Sequence, residues 1–140
     1  MTLHALRQYL KYRMHARGRH GTHSPFVYYL VETVLPAVPP GPADKYQRLL
    51  AHMGQVYNCP VAMLPPDAAQ WEQALHQQLP ALQAGTIIAV PYPHATPQHT
   101  AAWQALCHTP GVRMSIDLYG MGMLLSRPEF LVVQHFVVRY

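Results

Sequence analysis

Fourteen prolines are spread along the 140 residues, and they limit the length of every element that the chain can form. Proline lacks a backbone N–H and ends or kinks a helix that it interrupts. Residues 36–43 hold four prolines and a glycine, which predicts a stiff, extended connector. We therefore expect short elements in a single domain, 1–140, made of a helical arm at 1–35, the connector, and a core at 44–140.

Helix starts are marked by short polar residues ahead of apolar-periodic segments. Four such residues, two of them followed by proline, are Ser24, Asp44, Asp67 and Thr96. Leucines at helical spacing predict a further amphipathic helix over 3–16. Three helices are thus expected before the first strand.

Five short apolar segments are predicted to be strands. Residues 86–90 (TIIAV) are β-branched and apolar throughout, as is typical of a central strand buried on both faces. The other four segments are 61–64, 112–118, 121–127 and 131–139, with a hairpin-length link at Tyr119-Gly120. The order of helices and strands predicts an α/β fold of three layers with an antiparallel edge.

Positive charge is concentrated at the N-terminus. Five of the ten basic residues lie in the first 19 positions, and no acid precedes Glu32. Arg13, Arg17 and Arg19 are candidate contacts for an anionic partner, and the alternative is a solvated helix face. Because no aromatic platform accompanies them, we expect at most weak, non-specific binding to nucleic acid.

Two segments resemble the ends of a bacterial family of class I S-adenosylmethionine-dependent methyltransferase-like proteins. They are RHGTHSPFVYYLVETV at 19–34, and SIDLYGMGMLLSR at 115–127 followed by QHFVVRY at 134–140. Members of that family carry an HGxHSPFV-type helix and finish on a QHFxxR-type strand. The resemblance implies a Rossmann-like sheet, with the strand order 3-2-1-4-5-7-6 in the full-length fold.

Several parts of that fold have no counterpart in this chain. Where the family has a glycine-rich cofactor loop after the first strand, residues 61–67 read VAMLPPD, without glycine and with two prolines that lack amide donors. The second, third and fourth strands have no matching segment, which leaves the order 1-5-7-6. The resemblance therefore implies no cofactor, and no catalytic, cofactor-binding or metal-binding residue is carried over.

Histidine is abundant, with ten residues, and several positions invite a chemical interpretation. His20 and His23 are interpreted as structural hydrogen-bonding groups, with a metal site as the alternative. Asp117 and His135 are interpreted as a polar pair, with acid–base chemistry as the alternative. A ligand trio of His94, His99 and His108 and a Cys107–His108 nucleophile pair are the less favoured hypotheses.

The missing strands predict self-association. The first strand becomes a sheet edge without charge, and the helix that follows it is expected to present an uncovered apolar face. The candidate interface residues are Val61, Met63, Leu64, Trp71 and Leu75. A homodimer would bury this surface twice.

The sequence as a whole predicts a non-catalytic, degenerate methyltransferase homologue that acts as a binding or assembly module, as a homodimer or with another protein. The alternatives are a minimal S-adenosylmethionine-dependent methyltransferase and a small nucleic-acid-binding protein. Two distant cysteines without a CxxC motif favour a reducing cytoplasm. No apolar run reaches the roughly 20 residues of a membrane span, so no membrane partner is expected.

Overall fold

The computed structural model describes residues 2–15 and 24–140 as a mixed α/β protein. Its α-helices are α1 (Leu3–His15), α2 (Pro25–Tyr29), α3 (Lys45–Val56), α4 (Trp71–Gln83) and α5 (Pro97–Cys107). Its strands are β1 (Val61–Met63), β2 (Ile87–Pro91), β3 (Met114–Asp117), β4 (Met121–Leu125) and β5 (Gln134–Val137).

The predicted helix starts are confirmed, and each cap side chain binds a backbone N–H of its own first turn. Ser24 Oγ accepts from Val27, and Thr96 Oγ1 accepts from His99. Asp44 caps α3 in the same way, whereas Asp67 caps a 3₁₀ turn at Ala68–Gln70 that leads into α4. After α2 the chain continues as a π-helical turn, Leu30–Val34, and then as a 3₁₀ turn, Leu35–Ala37. Pro36 fits there because proline is tolerated in the first turn of a helical segment.

The sheet has five strands in the order β1-β2-β4-β3-β5, which differs from the four-strand order predicted. The predicted antiparallel edge is wrong: β4 is antiparallel to both its neighbours and lies mid-sheet, while each edge strand pairs in parallel. The β3–β4 hairpin inserts β4 beside β2, and β5 then adds to the free side of β3. The last predicted strand, 131–139, shortens to Gln134–Val137, and the three residues before it are exposed.

Two apolar cores lie on opposite faces of this sheet, which confirms the three layers. Successive residues of β2 alternate between them, as the period of a strand requires. Ile87 and Ala89 face the core formed with α2 and α3. Ile88 and Val90 face the core formed with α4 and α5. All five residues of β2 are buried, as predicted for a central strand.

Two glycines allow aromatic rings to lie directly on the β3–β4 hairpin. A Cβ at Gly122 would overlap the six-membered ring of Trp103, and a Cβ at Gly120 would overlap the ring of Tyr46. The Tyr46 hydroxyl also donates to the Leu118 carbonyl, at 3.2 Å. The hairpin is thereby held by a helix on each face of the sheet.

Candidate functional site

The candidate site lies at one edge of the sheet, where four strands end together. Because β1, β2, β3 and β5 all run in the same direction, their carboxyl ends meet there. Open α/β sheets bind ligands in crevices outside the carboxyl ends of their strands. The loops that form this edge are 64–67, 92–96 and 118–120.

A buried histidine–aspartate pair joins two of these loops. His94 follows β2 and Asp117 is the last residue of β3, and His94 Nε2 donates to Asp117 Oδ2 at 2.6 Å. The two side chains are only 9% and 12% exposed. The other carboxylate oxygen, Oδ1, accepts the backbone N–H of Tyr119 at 2.8 Å. Both Asp117 oxygens are therefore occupied within the chain.

The same histidine begins a polar chain that reaches the N-terminal helix. His94 Nδ1 lies 3.3 Å from the hydroxyl of Thr100, which lies in the first turn of α5. His4 Nε2 of α1 lies 2.8 Å from the same hydroxyl. The chain of contacts runs from α1 through α5 to the end of β3.

This polar chain contains the residue types of a nucleophile, a base and an orienting carboxylate in Thr100, His94 and Asp117. Its packing is different from that of a nucleophilic site. Thr100 is only 8% exposed, and its hydroxyl also lies 3.4 Å from the Pro93 carbonyl. The cleft beside His94 is not lined by Thr100. The arrangement thus fixes the loops in place and presents no accessible nucleophile.

An aromatic cleft of about 270 Å³ lies beside the pair. Its lining residues are Ala5, Tyr92, His94, Ala95, Tyr119 and Gly120. The rings of His94 and Tyr119 are stacked, with centroids 5.7 Å apart, and the Tyr119 hydroxyl donates to the Ala5 carbonyl at 2.6 Å. The described part of α1 docks here, with Ala5 buried, whereas the leucines expected to form its packing face, Leu3, Leu6 and Leu10, are exposed.

Two tyrosines in this lining have left-handed backbone conformations. Tyr92 has φ 47° and Tyr119 has φ 70°. For L-residues other than glycine this region costs roughly 1–2 kcal/mol per residue. Such strain persists only where the surroundings enforce it, and it is concentrated at functional sites. The Tyr92 N–H donates to the Gly120 carbonyl, so the two strained turns are tied to each other.

The loop after β1 is closed against α4 and α5. Trp71 Nε1 donates to the Pro65 carbonyl at 2.6 Å, and His99 Nε2 lies 3.2 Å from the Pro66 carbonyl. The Trp71 and His99 rings meet edge to face, with centroids 5.2 Å apart. Two prolines and a buried indole therefore occupy the position at which the resemblance places a glycine-rich cofactor loop.

The residues predicted as an interface are placed in two different environments. Val61 and Met63 are 37% and 45% exposed on the edge strand β1. The predicted uncovered helix face is wrong, because Trp71 and Leu75 are buried in the core formed with α5. Leu64 is buried in that core as well. Helix α5 covers the face of α4 that was predicted to be open.

The cationic candidates lie mostly outside the described residues. Arg13 lies within α1, whereas Arg17 and Arg19, like His20 and His23, lie outside the described residues.

The predicted pairing of Asp117 with His135 is wrong. His135 Nδ1 lies 2.7 Å from the Ser115 hydroxyl, and its ring is 4.9 Å from that of His108. Burial, and then the proximity of His108, lowers the pKa of His135 below its ordinary value. Asp117 lies two residues after Ser115, at the carboxyl end of β3, where its side chain contacts His94. The two polar residues of this strand thus serve different partners.

The residues of the other histidine and cysteine hypotheses lie in separate environments. His94, His99 and His108 bind different groups, and no set of three metal-ligating side chains occurs within 2–15 and 24–140. Burial raises the pKa of Cys107 to about 12, which keeps the thiol protonated and unreactive near neutral pH. Neither cysteine forms a disulfide.

Sequence reasoning missed the pairing of His94 with Asp117, although a signal was present. Each residue stands at the carboxyl end of a predicted strand, 23 positions apart. Only the observation that β2 and β3 run in the same direction brings the two ends together.

The fold and the site define a mixed α/β protein whose carboxyl-edge loops are joined by a buried histidine–aspartate pair beside an aromatic cleft. Comparison with protein-family models, curated proteins and solved structures gives no match to this chain. Within the described residues, none of the helices has the length and apolar character needed to cross a membrane.

Proposed function

We propose that the chain is a reduced, Rossmann-like methyltransferase homologue that acts as a non-catalytic binding or assembly module. The contact that carries this proposal is the hydrogen bond from Trp71 Nε1 to the Pro65 carbonyl. In a cofactor-binding loop, backbone N–H groups must approach the ligand closely, and glycine permits that approach. Here Pro65 and Pro66 have no N–H to offer, and their carbonyls are bonded within the chain.

The polar groups of the site support a binding role. Asp117 contacts His94 and Tyr119, and both ring nitrogens of His94 have partners within the chain. A general base must lie within hydrogen-bond reach of the proton that it abstracts. The polar groups beside the cleft instead hold its loops together, which suits a rigid binding surface.

The test is thermal unfolding in the presence of S-adenosylmethionine. A ligand at 100 times its dissociation constant stabilises a protein by about 2.7 kcal/mol, which would raise the Tm by several degrees. We expect no such rise, while a known methyltransferase in the same assay shows one. Saturable, cofactor-dependent stabilisation of this chain would overturn the proposal and favour a minimal methyltransferase.

The alternative to be distinguished from this proposal is a nucleic-acid-binding protein. Contacts by Arg13, Arg17 and Arg19 to phosphates would give binding that weakens steeply as salt rises, without sequence preference. Sequence-selective binding that survives physiological salt would favour the nucleic-acid-binding alternative.

A further inference from the structure

The aromatic cleft combines several features of a ligand site. It lies outside the carboxyl ends of β2 and β3, where α/β sheets bind small molecules. Its walls come from three separate parts of the chain: α1, the loop after β2 and the β3–β4 turn. A buried histidine–aspartate pair fixes two of these parts relative to each other.

Backbone strain is concentrated at the same cleft. The non-glycine residues with positive φ among those described are Asn58, Tyr92 and Tyr119, and both tyrosines line the cleft. Asparagine adopts this conformation readily, whereas a bulky aromatic residue seldom does. The fold therefore maintains an unfavourable backbone at the two positions that place tyrosines around one cavity. Tyr92 is also 61% exposed, so its ring is accessible to a ligand.

The chemistry of the walls selects the ligand. The Tyr119 hydroxyl is bonded to Ala5, His94 to Asp117 and Thr100, and the Tyr92 N–H to Gly120. A charged or strongly polar ligand would lose its hydration without gaining hydrogen bonds from these groups. Aromatic rings in turn favour stacked or edge-to-face contact with another ring.

The size of the cleft sets the upper limit on the ligand. A dry cavity of about 150 Å³ holds one benzene molecule. The cleft of about 270 Å³ is therefore large enough for one ring or two fused rings.

We propose that this cleft binds one small, uncharged aromatic molecule of one or two rings, held against Tyr92, Tyr119 and Ala5. The inference rests on the proposed function, since it names the ligand class of the same non-catalytic site. The histidine–aspartate pair and the hydrogen bond from Tyr119 to Ala5 pre-organise the walls. Pre-organisation of this kind reduces the entropy lost on binding.

The experiment is a titration of the full chain with indole, followed by ligand-detected and protein-detected NMR. We expect saturable one-site binding with a Kd of roughly 0.1–1 mM, the range accessible to a ligand of this size. Phenol and cyclohexanol, which match in size but differ in aromaticity, form the selectivity pair. We expect phenol to bind more tightly than cyclohexanol.

Two variants and their matched controls locate the site. Tyr92→Ala removes an aromatic wall, and Ala5→Leu fills the cleft; each is expected to weaken indole binding by about tenfold or more. Tyr28→Ala removes a tyrosine of similar type that is exposed on α2, and Ala51→Leu adds the same bulk on the exposed face of α3. We expect both controls to retain wild-type affinity. Circular dichroism verifies that each variant is folded.

Three results would overturn the inference: non-saturable indole binding, equal affinity for phenol and cyclohexanol, or binding unaffected by both cleft variants. These results are separable from failure of the proposed function. If neither indole nor S-adenosylmethionine binds, the aromatic ligand class is rejected and the non-catalytic assignment is kept. If S-adenosylmethionine stabilises the chain and indole does not compete with it, only the non-catalytic assignment is rejected.

Discussion

Asp117 joins two loops of the carboxyl edge, because one of its oxygens binds His94 and the other binds the Tyr119 N–H. Replacing it by Asn keeps an oxygen for the Tyr119 N–H but removes the charge that His94 contacts. Breaking a buried, hydrogen-bonded pair on one side leaves the other partner desolvated. We expect Asp117→Asn to lower the free energy of unfolding by about 2–4 kcal/mol, measured by urea denaturation.

The matched control is the exposed ion pair of Arg127 with Glu129, whose side chains are 34% and 55% exposed. Glu129→Gln should cost at most about 1 kcal/mol, because exposed pairs contribute little. Equal losses from the two substitutions would show that the buried pair has no special structural role.

The buried thiol of Cys107 makes the free energy of unfolding fall as the pH becomes alkaline. Burial raises its pKa from 9.0 to about 12, outweighing the opposing hydrogen bond from Ser115. Between these values the folded chain keeps a proton that the unfolded chain releases. The stabilisation is therefore complete below pH 9 and is lost as pH rises through this window, by up to about 1.4 kcal/mol per pH unit.

The check is the urea midpoint of wild type and Cys107→Ala at pH 8 and pH 10. The variant loses packing equally at both pH values, so its midpoint should fall less between them than that of wild type. The half-buried Cys59, replaced by Ala, is the control and should keep most of the wild-type pH response. An unchanged response in Cys107→Ala would contradict the assignment.

At the scale of the element, local signals and long-range pairing differ in how well the sequence reveals them. A helix start is determined by a few adjacent residues, so Ser24, Asp44 and Thr96 are recognisable as caps from the chain alone. The pairing of β3 with β5 joins residues 20 positions apart, such as Met114 and Gln134, and no local pattern encodes it. For the same reason α1 is predicted as a helix, but its docking through Ala5 is not.

The β3–β4 hairpin is sensitive to added volume at Gly122. A Cβ at this position would overlap the ring of Trp103, which is buried in the core between α4, α5 and the sheet. Inserting a methyl group into a packed core typically costs about 1–3 kcal/mol. We expect Gly122→Ala to lower stability by that amount in chemical denaturation.

Gly41→Ala is the control, since its added Cβ would make only an ordinary contact with Arg48. We expect its free energy of unfolding to stay within about 0.5 kcal/mol of wild type. In the double variant Gly122→Ala with Trp103→Phe, the total loss should be smaller than the sum of the two single losses, because the smaller ring leaves room for the methyl group. Losses that simply add would place the cost elsewhere in the hairpin.

For the whole molecule, we expect self-association through the edge strand β1. β1 lies at one end of the sheet order, and Val61 and Met63 are exposed on one face of it. An apolar, uncharged edge can pair with another chain. We expect a homodimer that buries more than about 1,000 Å² in total, measured by light scattering and sedimentation.

Met63→Lys should dissociate this dimer, because it places a charge in the pairing surface. Leu131→Lys alters an apolar residue that is 83% exposed far along the chain, and it should leave the dimer intact. A monomeric wild-type protein, or a dimer lost only in Leu131→Lys, would show that β1 is not the interface.

The docking of α1 on the far end of the chain also has a consequence for biosynthesis. The carboxyl-edge groups that bind α1 include the Tyr119 hydroxyl, which lies 114 positions after its acceptor at Ala5. At a translation rate of about 5–20 residues per second, α1 leaves the ribosome several seconds or more before its docking surface exists. During that interval Ala5 and the face of α1 around it have no docking surface in the nascent chain. Synonymous codons that slow translation between the two positions would lengthen this interval and increase capture of the nascent chain by ribosome-associated chaperones.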